Sequence, residues 1–164
     1  MDFITLRLLS LPILSVRQPW ASYISSGMKS VELRSWAPQY KGWLWIHTGK
    51  KPDIVALRLL HLDIKGFDFG GLVGLAKVDH YEFIDSEKKW LSLKRDHLSP
   101  GWFQGNCYGW HFNDALSLPA LIECPGELGL FHLTGAVRDF VYKQINQDLF
   151  HDFVEAASAV VADQ

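Results

Sequence analysis

Short apolar runs bounded by proline, glycine and serine recur along the chain, and most carry the two-residue period of strands. Pro12–Val16 (PILSV) predicts a short buried strand. Pro19 follows at a position that a first helical turn tolerates, and Trp20, Tyr23 and Ile24 share one helical face up to a stop at Gly27. Ser30–Trp36 (SVELRSW) alternates, with Val31, Leu33 and Ser35 opposite Glu32, Arg34 and Trp36, so one face carries an acid and a base two residues apart. Turn chemistry at Pro38–Gly42 leads into Trp43–Thr48 (WLWIHT), a dense β-former run.

Pro52 opens a predicted helix through His61 or Leu62, and Gly66–Gly71 (GFDFGG) predicts a loop. Leu72–Ile84 predicts a long strand, bent at Gly74. A Ser-capped helix is expected at Ser86–Leu93 and a loop at Ser99–Asn106. Strands follow at Tyr108–Phe112 and Ala115–Glu123, then a turn at Gly126–Gly129 and a last strand at Leu130–Leu133. From Gly135 a helical tail carries the stripe Val137, Phe140, Val141, Ile145, Leu149 and Phe153. Strands dominate the middle and helices flank them, which predicts an α+β domain built on a curled sheet or open barrel.

Composition sharpens this picture. The chain has 164 residues, 48% of them apolar and 21% charged, enough for one domain with a real core and too apolar for a disordered tail. No apolar stretch is long enough to span a bilayer. Met1–Val16 contains Asp2, Arg7 and Pro12 and lacks a cleavage pattern, so it is not read as a signal peptide; a soluble cytoplasmic protein is expected. The two cysteines, Cys107 and Cys124, are too few for a disulfide scaffold.

The net charge of −2 conceals an asymmetry. Between Ser15 and Lys51 stand Arg17, Lys29, Arg34, Lys41, Lys50 and Lys51 against Glu32 alone, whereas the rest of the chain is acidic. A local basic face on an acidic domain suits one confined anionic ligand rather than a duplex wrapped along its length. Several familiar chemistries are missing. Gly42 and Gly49-Lys50 have the wrong spacing for a phosphate loop, and Lys51 stands where its Ser or Thr belongs. Seven histidines show no H-E-x-x-H, so neither a metal nor a cofactor is expected. Cys107 near His111 suits a small packed residue better than a nucleophile.

The run Leu14–Trp36, LSVRQPWASYISSGMKSVELRSW, followed by Tyr40–Pro52, YKGWLWIHTGKKP, closely resembles the ASCH domain family. Further blocks keep the family's order: Gly71–Tyr81 (GLVGLAKVDHY), Tyr108–Phe112 (YGWHF) and Gly126–Leu133 (GELGLFHL). The resemblance implies a PUA-like small β-barrel over residues 1–134, with residues 135–164 as a helical extension packed on it. It also implies a module that binds RNA, or a modified nucleotide, in a pocket at one mouth of the barrel. The first two runs supply the expected ligand set: Arg17, Gln18, Trp20, Lys29, Glu32, Arg34, His47 and Lys50. One bacterial branch of the family resembles an amidohydrolase acting on acetylated cytidine, with a Lys, a Thr and a Glu as its working set. Aligned on Gly27–Ser30 (GMKS), its Lys falls on Lys29 and its Thr position on Glu32, while its distal Glu falls near Asp79 and Glu82. A hydrolase would therefore rest on Lys29 and Glu32. From a different class, the apolar stripe of the tail would suit a protein partner or a second copy of the chain.

Overall fold

The structure is a computed structural model and describes residues 1–162. Six strands form one sheet in the order β2-β5-β4-β3-β1-β6. They are β1 (Ile13–Ser15), β2 (Val31–Arg34), β3 (Gly42–Thr48), β4 (Gly71–Ile84), β5 (Cys107–Glu123) and β6 (Leu130–Phe131). All neighbours are antiparallel except β1 and β3, which run parallel. The sheet curls strongly into a half-barrel, open between β2 and β6. Its curl has a local cause: register slips in the β4–β5 ladder at Leu72/Gly74, Lys77/Val78 and Val78/His80, and in the β3–β4 ladder opposite Ile46/His47. Each slip adds twist and bends the strand.

The helices are α1 (Phe3–Ser10), α2 (Trp20–Ser25), α3 (Ile54–Leu59), α4 (Glu87–Ser92), α5 (Lys94–His97), α6 (Gly135–Ile145) and α7 (His151–Val161). They cover the sheet so that two apolar clusters form. In one, α1, α6 and α7 bury Leu8, Leu9, Val141, Ile145, Phe153 and Ala157 against Trp43, Trp45 and Leu75. In the other, α2 and α3 bury Trp20, Ile24 and Ala56 against Leu14, Leu44, Ile46 and Trp110.

The expected α+β class and curled sheet are present, with several differences in detail. The two strands expected at Tyr108–Phe112 and Ala115–Glu123 are one 17-residue strand, because exposed Asp114 stays in the ladder opposite Lys77 of β4 and Asn113 is passed over in a register slip. Pairing rather than propensity decides there. The sequence gives no helical signal for α1: Asp2 caps it, accepting from Thr5 N at 2.9 Å, but apolar residues lie on several sides of so short a segment. The expected single helical tail is two helices, interrupted after Asn146. Within its stripe Val141, Ile145 and Phe153 are core, whereas Phe140 and Leu149 face solvent. Among the described residues no helix is long and apolar enough to cross a membrane.

Candidate functional site

A cavity of about 670 Å³ opens where the ends of β1, β2 and β3 meet the start of α2. Six of the expected ligand residues line it: Arg17, Trp20, Lys29, Glu32, Arg34 and Lys50. Strand alternation brings Glu32 and Arg34 to one face of β2, and the turn after α2 delivers Lys29 beside them.

Glu32 is the hub. Its Oε2 accepts from Arg34 Nη2 at 3.1 Å and Arg34 Nε at 3.3 Å, while Oε1 accepts from Leu33 N at 3.2 Å. Lys29 Nζ stands 3.7 Å from Oε1, donates to His97 O, and lies 4.8 Å from the centre of the Trp20 ring. A second donor bond from Arg34 Nη2, to Ser15 O at 2.8 Å, ties β2 to β1 across the cavity floor. Trp20 is fixed in turn by Asp53, whose Oδ2 accepts its indole N–H at 3.0 Å.

Lys29 is only 2% exposed. Burial pulls its ammonium down to about 8, with Glu32 opposing the fall and Arg34 adding to it. The unfolded chain holds this proton to about 10.5, so between those values the unfolded state binds more protons and stability rises with pH. Cys124 opposes this, because burial raises its thiol to about 11 and its contribution falls as pH climbs. A difference measurement isolates the lysine. Relative to Lys29→Met, the wild type is expected to gain on the order of 3 kcal/mol in urea titrations between pH 8 and 10.5. A constant difference would show that Lys29 keeps an ordinary proton affinity.

Two of the expected residues do not line this cavity. Gln18 is fully buried: its Oε1 accepts from Ser22 N at 3.0 Å, and its Nε2 donates to Ser22 Oγ at 2.8 Å and to Asp68 O at 3.0 Å. It thus serves as the cap of α2, whose own N-cap, Pro19, has no side-chain acceptor. His47 donates from Nε2 to Cys124 O at 2.7 Å, leaving Nδ1 to accept the Ser15 hydroxyl at 2.9 Å. Burial lowers its proton affinity and favours the neutral ring. Asp79 and Glu82, the two positions near the hydrolase branch's distal Glu, also lie outside the cavity. Asp79 accepts from His80 Nδ1 at 2.7 Å, and Glu82 pairs with His111 Nε2 at 2.9 Å. His80, Glu82 and His111 bring three metal-binding atoms close together, but the two imidazoles stack with their planes 15° apart, so their in-plane lone pairs do not converge on one point.

Sequence reasoning missed three charged lining residues, Lys51, Asp53 and Glu127. The Lys50-Lys51 pair was visible as charge, whereas Asp53 and Glu127 arrive on separate loops with no motif of their own. Arg17, Lys50 and Lys51 are exposed and make no ion pair or side-chain hydrogen bond among the described residues. The cavity therefore combines a satisfied inner triad with three unpaired cations, alongside the acids Asp53 and Glu127.

Comparison with known proteins agrees with this architecture. Crystal structures of ASCH from Zymomonas mobilis superpose with a TM-score of 0.57 at 15% identity, covering 82% of this chain and 94% of that one. A point mutant of the same bacterial protein gives the same score over 83% and 96%. At that identity the likeness is one of fold. Activating signal cointegrator 1 of Homo sapiens is 58% identical over 41 residues, and its Mus musculus counterpart 55%. The match spans 24% of this chain and only 7% of those proteins' length. The ASCH domain model matches residues 14–118, which include every strand but β6 and the inner triad of the cavity, although β1 and β5 extend slightly past its limits; the chain belongs to the ASCH domain family.

Proposed function

We propose that this chain is a nucleic-acid-binding module that seats one nucleotide in the cavity. The observation that carries the reading is the cationic rim of Arg17, Lys50 and Lys51 around the inner Lys29–Glu32–Arg34 triad. The rim supplies cations for phosphate. Glu32 retains acceptor capacity, since a carboxylate offers about four lone-pair sites, and can take the exocyclic amino group of a base. Trp20 forms a wall of the cavity, one face of its ring already occupied by Lys29.

Binding of a labelled single-stranded oligonucleotide, measured by anisotropy across a salt series, tests this. Three phosphate contacts predict a log–log slope of about −2. Substituting Arg17, Lys50 and Lys51 together by Gln is expected to flatten that slope towards zero at unchanged melting temperature. Wild-type affinity and slope in that variant would sink the assignment.

A second reading, an amidohydrolase acting on acetylated cytidine, is favoured by one feature. A lysine that titrates near 8 beside a carboxylate holds a substantial neutral fraction at mildly alkaline pH and could serve as a base. Chromatography of acetylcytidine after incubation with wild type and folded Lys29→Met decides it. Turnover lost in the variant supports catalysis; none in either leaves binding alone.

A further inference from the structure

A second groove of about 550 Å³ adjoins the cavity and shares Leu33, Asp53 and Ser99 with it. Its character differs sharply. Val55, Leu59, Trp90, Trp102 and Phe103 line it, and Asp53 at the boundary is its one charged lining residue. Trp102 is 72% exposed, at the tip of the connection between α5 and β5. An indole left in water gives up the burial that usually justifies it, so it belongs to no core of this fold.

The base of that connection is nevertheless firmly held. Lys94 Nζ lies 4.3 Å from the centre of the Trp90 ring and donates to Ser99 O. His97 accepts from Ser99 N at 3.0 Å through Nδ1 and donates from Nε2 to Trp90 O at 2.9 Å. The same His97 offers its carbonyl to Lys29 Nζ in the cavity. One segment, hydrogen-bonded through His97 and Ser99, thus joins the inner triad to the exposed indole.

We propose that the groove is a base-stacking subsite: Trp102 takes an unpaired base of a single-stranded polynucleotide whose backbone phosphates rest on Arg17, Lys50 and Lys51. This rests on the nucleotide-binding reading of the cavity and extends it from one nucleotide to a strand. Charge complementarity selects the occupant. A nucleotide strand alternates an anionic backbone with flat apolar bases, matching a cationic cavity that runs into an uncharged aromatic groove. Within a duplex each base is stacked on both sides and shows only its edges, so no interior face is free for an indole.

The test compares cytidine monophosphate, RNA and DNA hexanucleotides, and a long blunt duplex, by calorimetry and anisotropy at fixed salt. Wild type is expected to bind the hexanucleotides more tightly than the monophosphate or the duplex. Trp102→Ala should weaken hexanucleotide binding roughly 5- to 150-fold while leaving monophosphate binding, salt slope and melting temperature unchanged. Trp102→Phe should restore most of the loss. The ratio of RNA to DNA affinity assigns the sugar. Hexanucleotides bound no better than the monophosphate, or unaffected by Trp102→Ala, would overturn the stacking subsite and leave the cavity reading intact, the groove then belonging to another class of partner such as a peptide. Failure of wild type to bind the monophosphate and hexanucleotides alike would instead overturn the cavity reading, and this one with it.

Discussion

Glu32→Ala is expected to destabilise the protein by about 3 kcal/mol, a fall in melting temperature of roughly 6–12 °C for a chain of this size. The carboxylate is 6% exposed and is the only acid paired with both Lys29 and Arg34 among the described residues. Removing it leaves a buried ammonium and a half-buried guanidinium facing each other without a counter-charge. Lys29 would then release its proton below its present value near 8, since Glu32 is what holds that value up. Glu32→Gln should recover part of the loss, because an amide oxygen still accepts from Leu33 N. Urea denaturation of the three proteins at pH 7 provides the comparison. An alanine variant within 0.5 kcal/mol of wild type would mean that the triad's charges are solvated rather than mutually dependent.

Gly74→Ala should be more damaging still and leave no folded protein. A Cβ at Gly74 would stand 2.3 Å from Leu116 O in β5 and 2.7 Å from Ser25 Cβ in α2. Neither is the free end of a flexible side chain, so β4 must part from β5 or α2 must lift off the sheet. Both lie at the centre of the molecule, and the cost belongs with the rare losses above about 4 kcal/mol. Circular dichroism and gel filtration of the variant report it directly. Gly66→Ala is the control, because nothing lies within 4 Å of a Cβ there. A folded, monodisperse Gly74→Ala would show that the β4–β5 ladder has slack.

The strands that carry the sheet were legible because their residues are β-formers wherever they are placed: Trp43–Thr48 and the apolar half of β4 need no context. The inner triad was legible for a related reason, since Glu32 and Arg34 must share a face of any strand. What sequence could not convey is side-chain reach across the fold. Gln18 looks like a polar residue awaiting a ligand until Asp68, fifty positions on, is brought to its amide. His47 is likewise claimed by Cys124 O, 77 positions away. Between Asp79 and Glu82 the sequence offered no choice, because the slips in β4 change which face each later residue occupies and no local pattern encodes a slip. Trp102 escaped notice for the opposite reason: its burial, not its identity, is the informative fact.

The packing of α1 against α6 and α7 bears on how the protein is made. A ribosome delivers residues in order, and Leu8 and Leu9 emerge well before Val141, Ile145 and Ala157, which cover them. Until residues 135–161 have emerged, Leu8 and Leu9 therefore lack the helices that cover them. The half of the core around α2 and α3 can close first, whereas the other half waits for residues 135–161. During translation the cavity is thus assembled on the half that can mature early, while the layer that closes last lies on the opposite side of the sheet.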